Sequence, residues 1–221
     1  MDIQERLTAF AMLGATWVMW LLVLLSIVCL AIILERSYYL FVSRDDVARL
    51  KADLMAKLRG HDVDAARVRM RQSRSVEAQV ALAGLDASAD GAAAAEQRMD
   101  GQTSISRLAM ERNLAFLGTV GNNAPFVGLA GTVIGIIRAF HELDASQGQV
   151  SAGLMAEVGE ALVATLIGLL VALPAVAFFN YFQRVIKTRI TRADALGKEV
   201  LAYLKSERRG KGEEAAEAAA E

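Results

Sequence analysis

The sequence predicts an all-α membrane protein with three transmembrane helices and long helical cytoplasmic extensions, its N-terminus outside and its C-terminus inside. Three observations predict it. Of the 221 residues, 54% are hydrophobic and 22% charged, and the two kinds are segregated along the chain rather than interleaved. Three uncharged runs are each long enough for a helix to cross about 30 Å of hydrocarbon. Lys and Arg gather at the same set of membrane ends.

The first uncharged run, Leu7 to Leu34, contains GATWVMWLLVLLSIVCLAIIL. It is too long for a signal-peptide core and no small-x-small cleavage site precedes Glu35, so it is expected to be retained as a span over 12–34, behind a periplasmic N-terminus of residues 1–11. Trp17 and Trp20 suit an interfacial anchor, and Cys29, the one cysteine, sits among Leu, Val and Ile as a small hydrophobe. The second span is expected over 113–138 and the third over 159–183, joined by a periplasmic turn of residues 139–158. Both are richer in Gly, Ala, Thr, Asn and Pro than the first, which suits contact with other helices or water better than contact with lipid tails. Orientation follows from Arg36, Arg44, Arg49 and Lys51 after span one, Arg107 and Arg112 before span two, and Arg184, Lys187, Arg189 and Arg192 after span three.

Residues 35–112 then form a cytoplasmic helical domain, and 184–221 a cytoplasmic helix with a disordered tail from about Ser206. Val47, Leu50, Leu54 and Leu58 recur at helical spacing, with a start signal between Ser43 and Asp46. Arg67, Arg69, Arg71 and Arg74 form a basic segment, either a solvated helix face or a contact with anionic lipid or another subunit. Gly84 to Gly101, rich in Ala, Gly and Asp, reads as a linker or an interrupted helix.

At about 100° per residue, Gly128, Gly131, Thr132 and Gly135 share one face of span two. Ala161, Ala164, Thr165, Gly168, Ala172 and Ala175 share one face of span three, and Glu157 extends that stripe outward. Two readings stand side by side: close helix packing, or the wall of a water-holding cavity. Thr132 and Thr165 are the only hydroxyls deep in these two spans; each either bonds back to its own helix or lines an ion path. Glu157 and Glu160 either complement a helix N-terminus or form a cation-attracting mouth, and Arg138 is placed to pair with either or to reach the interface. No Asp, Glu, Lys, Arg or His lies in the middle of any span, so a proton relay through this chain needs a titrating carboxylate from a partner helix.

The composition excludes other classes. A net charge of −1 removes the electrostatic case for nucleic acid, one cysteine and two distant histidines make a metal site unexpected, and no nucleophile elbow or phosphate loop suggests an enzyme. No catalytic residue and no cofactor is expected.

APFVGLAGTVIGI (Ala124 to Ile136) followed by GEALVATLIGLLVALPAVAFFN (Gly159 to Asn180) resembles the MotA/TolQ/ExbB proton-channel family, on its ExbB and TolQ side. The resemblance implies a homopentamer in the bacterial inner membrane. Its spans two and three would enclose a pore occupied by the single spans of an ExbD- or TolR-like dimer, which carries the membrane aspartate this chain lacks. By the same likeness Thr132 and Thr165 match pore-lining threonines, Glu160 the glutamate at the head of span three, and Pro125 and Pro174 helix-bending prolines. Protons would be the coupling ion. Force would pass to a TonB-, TolA- or gliding-type component, since siderophore uptake, Tol-type envelope maintenance and gliding motility all use similar stators.

Overall fold

A computed structural model describes residues 14–218 of the chain, so the expected periplasmic N-terminus, the first two residues of span one and the last three of the tail lie outside the described residues. Within them the chain is helical without strands: α1 (Thr16–Val42), α2 (Val47–Arg59), α3 (Val63–Arg71), α4 (Val76–Asp86), α5 (Ala92–Glu111), α6 (Leu114–Ala145) and α7 (Ala152–Ala218). A single 3-10 turn, Ser88–Asp90, separates α4 from α5. The helices fall into two compact units, one made of residues up to Glu35 with Asn113–Phe182, the other of Arg36–Arg112 with the residues from Gln183.

The first unit holds the apolar parts of α1, α6 and α7, the three described helices long and apolar enough to cross a membrane. On α1, Val18, Leu22, Cys29 and Ile33 turn inward at helical spacing, with Ala15 buried just before the helix. The opposite rows stay outside: Leu24, Ile27, Leu30 and Leu34 on α1, Phe126, Leu129, Val133 and Phe140 on α6, and Leu162, Leu166, Leu169 and Leu173 on α7. Continuous apolar stripes of that length are prohibitive against water and cost nothing against lipid tails. The chain is therefore a multi-pass membrane protein. The connection between α6 and α7 is reduced to residues 146–151, where Gln147 and Gly148 adopt positive φ of 54° and 81° and the Ser151 hydroxyl accepts from the Leu154 amide at 3.1 Å. The expected 20-residue turn is thus mostly helix, because nothing in HELDA opposes continuation of α6.

The second unit is built on conventional caps and stripes. Asp46 accepts from the amides of Ala48 and Arg49 at 3.0 and 3.2 Å, Asp62 from Ala65 at 2.8 Å, and Ser75 from Ala78 at 3.2 Å, fixing the starts of α2, α3 and α4. Each such cap contributes about 1 kcal/mol. Leu50, Leu54 and Leu58 are buried, as their spacing predicts. The Gly84 to Gly101 segment is an interrupted helix rather than a linker: α4 ends at Asp86 and Gly91, at φ 96°, allows the reversal from which α5 restarts. Ile186, Ile190, Ala193, Leu196, Val200 and Leu204 give the later part of α7 its buried stripe. Met99 of α5 fills the space left by two missing side chains, since a Cβ on Gly84 would lie 2.5 Å from its sulfur and one on Gly197 3.1 Å. The tail expected to be disordered from Ser206 is helical through Ala218. Its Ala, Glu, Lys and Arg have the highest intrinsic helix propensities; the lack of bulky apolar residues limits packing, not backbone preference.

Candidate functional site in the apolar helix pair

The small-residue faces of α6 and α7 meet each other. A Cβ on Gly128 would lie 2.8 Å from the Ala164 carbonyl oxygen and 3.2 Å from Cα of Gly168; one on Gly168 would lie 2.7 Å from the Ala124 carbonyl oxygen. Gly131 and Gly135 are closed off by the Ala164 and Ala161 methyls, at 2.7 and 2.5 Å from the same ideal position, and Val18 of α1 also stands 3.3 Å from Gly131. The two backbones therefore touch along a seam that admits no side chain at Gly128 or Gly168. Within this chain these glycines belong to packing, and a cavity wall would have to come from the residues flanking them. Pro125 and Pro174 both lie inside their helices and withhold the i+4 amide donor from the carbonyls of Gly121 and Leu170.

The two hydroxyls flank the seam, both half-buried, and they differ. Thr132 Oγ1 donates to the Leu129 carbonyl of its own helix at 2.7 Å. Thr165 Oγ1 donates across the seam to the Gly128 carbonyl at 3.1 Å. The second bond exists because Gly128 lets α7 approach the carbonyl closely enough. A hydroxyl bonded to a carbonyl keeps its own lone pairs available to a water or a proton carrier.

At the N-terminal end of α7, three helix segments contribute to one polar group. Arg138 of α6 pairs with Glu157 of α7, Nη2 to Oε1, at 2.8 Å. One turn further along α7, Glu160 Oε1 accepts from Thr16 Oγ1 of α1 at 2.8 Å. The backbone of Gly14, at φ 86°, lies against the Arg138 guanidinium, where a Cβ would overlap it. Glu157 Oε2 is buried and has no hydrogen-bond partner among the described residues. Of the two pairings open to Arg138 in the sequence, the structure selects Glu157. Among the described residues no group of three His, Cys, Asp or Glu is placed to hold a metal ion.

Several arginines have roles that their spacing does not reveal, all within the second unit. Arg189 is buried and donates to the Ser43 hydroxyl at 2.7 Å, the Ser43 carbonyl at 3.3 Å and the Leu40 carbonyl, closing the C-terminal end of α1. Arg36, equally buried, donates to the Ala109 carbonyl at 2.8 Å near the end of α5 and lies 4.8 Å from the centre of the Tyr39 ring. Burial pushes the Arg189 guanidinium below its ordinary value, while the charge of Glu77 works against that shift. Glu77 is buried too; desolvation raises its carboxyl and outweighs the lowering by its own amide and by Arg189 and Arg192. Within the basic segment Arg71 and Arg74 are exposed, whereas Arg67 and Arg69 are held by neighbouring helices. Arg67 donates to the Leu85 carbonyl at 2.8 Å, to Ser88 Oγ at 3.0 Å and to Asp64 at 2.7 Å, and Arg69 to Asp53 at 2.8 Å, tying α3 to its neighbours α4 and α2.

The fold and this seam together define a multi-pass α-helical membrane protein with a glycine-packed, hydroxyl-flanked helix pair. The chain belongs to the MotA/TolQ/ExbB proton channel family, whose model matches residues 72–195, more than half of the sequence. It is 39% identical over 87 residues to an ExbB-like biopolymer transport protein of Helicobacter pylori, covering 39% of this chain and 58% of that one. Against the biopolymer transport protein ExbB of Xanthomonas campestris it is 41% identical over 91 residues, 41% of this chain and 36% of the relative. Against the Tol-Pal system protein TolQ of Pseudomonas aeruginosa it is 46% identical over 74 residues, 34% of this chain and 32% of the relative. These likenesses place it on the ExbB/TolQ side of a channel and transport family. The matched stretch spans less than two thirds of the length of each of these relatives.

Proposed function

We propose that the chain is the proton-conducting stator subunit of a bacterial inner-membrane motor, working through an ExbD- or TolR-like single-span partner to energise envelope transport. One observation carries this reading: a member of a proton channel family has hydroxyls but no Asp, Glu, Lys, Arg or His in the middle of its three spans. A proton relay across hydrocarbon needs a titrating group, so the partner must bring the carboxylate. Several copies, five by the family likeness, would enclose the partner dimer, with N-termini outside, C-termini inside and lipid against the outer Leu and Phe rows. Thr165 and Thr132, at the edges of the seam, would carry water or protons past the partner's acid, and Glu160, with Glu157 beside it, would draw cations to the outer mouth. Pro125 and Pro174 would bend their helices around the pore. Force would pass to a TonB- or TolA-like component, the gliding-type stator being the alternative; the matches to ExbB and TolQ relatives support the first two.

The test is proton flux into vesicles containing the full chain and its single-span partner. Thr165→Val is expected to lower flux about ten-fold and Thr165→Ser to restore it, while Thr132→Val has a smaller effect, a positioned proton-transfer group contributing about 10²-fold or more where it acts directly. Wild-type flux in both valine variants would remove the threonines from the path. A second reading, a non-conducting membrane scaffold, is favoured by one fact: the glycine faces are consumed by packing within one protomer. A wild-type complex without proton flux would select it.

A further inference from the structure

The polar group at the head of α7 joins two carboxylates and one guanidinium, and only one carboxylate has a cationic partner among the described residues. Glu157 and Glu160 are three residues apart on one helix, which sets their side chains on adjacent turns of the same face. Arg138 reaches Glu157 and not Glu160. The pair is a poor stabilising device, because Glu157 Oε2 is buried without a hydrogen bond, and a buried carboxylate oxygen left unmatched is unfavourable. Its effect is electrostatic: Arg138 offsets Glu157, and of these two carboxylates Glu160 keeps its charge without a cationic partner among the described residues, its contact being the neutral Thr16 hydroxyl, while Glu142 and Asp144 on the next turn of α6 add to the negative charge of this end.

We infer that Glu157 is the counter-charge of Arg138 rather than a station on the ion path, and that the pair leaves Glu160 as the carboxylate at the head of α7 whose charge is not offset. This rests on the conducting reading above and refines the role of Glu157 within it. Without Glu157, the Arg138 charge is left to offset Glu160, and an arriving cation meets less negative charge. With both Glu157 and Arg138 neutral, Glu160 is again without an offsetting cation.

The experiment compares proton flux, read with a trapped pH dye at fixed membrane potential, for the full chain reconstituted with its single-span partner. Glu157→Gln is expected to lower flux about ten-fold at low ionic strength, the scale of electrostatic focusing at a charged mouth. The double variant Arg138→Gln with Glu157→Gln is expected to return within about two-fold of wild type. The deficit of Glu157→Gln should shrink when external salt rises from about 0.01 M to about 1 M, over which the screening length falls from roughly 30 Å to 3 Å. A packing role would not move with salt. Flux unchanged by Glu157→Gln, a deficit insensitive to salt, or a loss of assembled complex that the double variant does not recover would each overturn the assignment. A wild-type complex with no flux would overturn the conducting reading, and this assignment with it.

Discussion

The two units solve the same problem, holding helices together, with different materials. In the apolar unit, α6 and α7 meet at glycine positions where backbone touches backbone and the Thr165 hydroxyl bridges to the Gly128 carbonyl, the one arginine tie among the described residues, Arg138 to Glu157, lying at the end of the pair. In the second unit the ties are arginines: Arg189 on the carbonyl ends of α1, Arg36 near the end of α5, Arg67 and Arg69 between α2, α3 and α4. The difference follows from the solvent each must face. Lipid tails give no hydrophobic gain for helix association, so close approach and dispersion must supply it; a long cation there would be costly to bury. Where water is at hand, a guanidinium can satisfy several carbonyls and carboxylates at once, and its stem packs like a hydrophobe.

The comparison breaks first at the seam. Gly128→Val should cost about 3 kcal/mol or more, since its Cβ meets a carbonyl oxygen that cannot move aside, and should abolish the folded helix pair in a detergent denaturation series. Gly159→Ala, with nothing within 4 Å of the new methyl, should be neutral or slightly stabilising in the same series. Next comes Arg189→Met, which keeps the stem and removes the charge. It should cost about 3 kcal/mol in thermal unfolding, because the Leu40 and Ser43 carbonyls lose their donor and the buried Glu77 loses a favourable nearby charge, and amide exchange at residues 36–43 should rise.

The smallest effect sharpens the contrast through pH. Glu77 has a folded-state pKa above its unfolded value, so its favourable contribution is fully present below the ordinary glutamate range and is lost as pH rises through the raised value. The second unit should therefore gain stability as pH falls through that window, and Glu77→Gln should flatten the slope; a slope unchanged by Glu77→Gln would assign it to other groups.

Much of this was legible in the sequence. The three spans were, because hydrocarbon demands an uncharged run and nothing else produces one of that length. So was the inner face of α2, where Leu50, Leu54 and Leu58 follow a period that burial alone requires. The arginine ties were not. Arg36 and Arg189 lie at membrane ends, where a count of positive charge explains them equally well, and their acceptors are backbone carbonyls, which every sequence has. Arg69 finds Asp53 sixteen positions away, a pairing that no helical spacing encodes. For Thr165 the spacing gave the face but not the partner, since a hydroxyl reaches across only where the opposite residue is glycine. Arg138 had two carboxylates within one helical turn of each other, and only the packing of α6 on α7 chose between them.

The seam also governs how this protein can drift. Among random replacements, those at Gly128 and Gly168 would be purged almost without exception, since even alanine collides with main-chain atoms there. The outward rows from Leu162 to Leu173 and from Phe126 to Phe140 should exchange freely among large apolar types. A deep mutational scan of the full chain would thus draw a narrow intolerant line down an otherwise permissive helix, tracing where the main chains of α6 and α7 lie in contact.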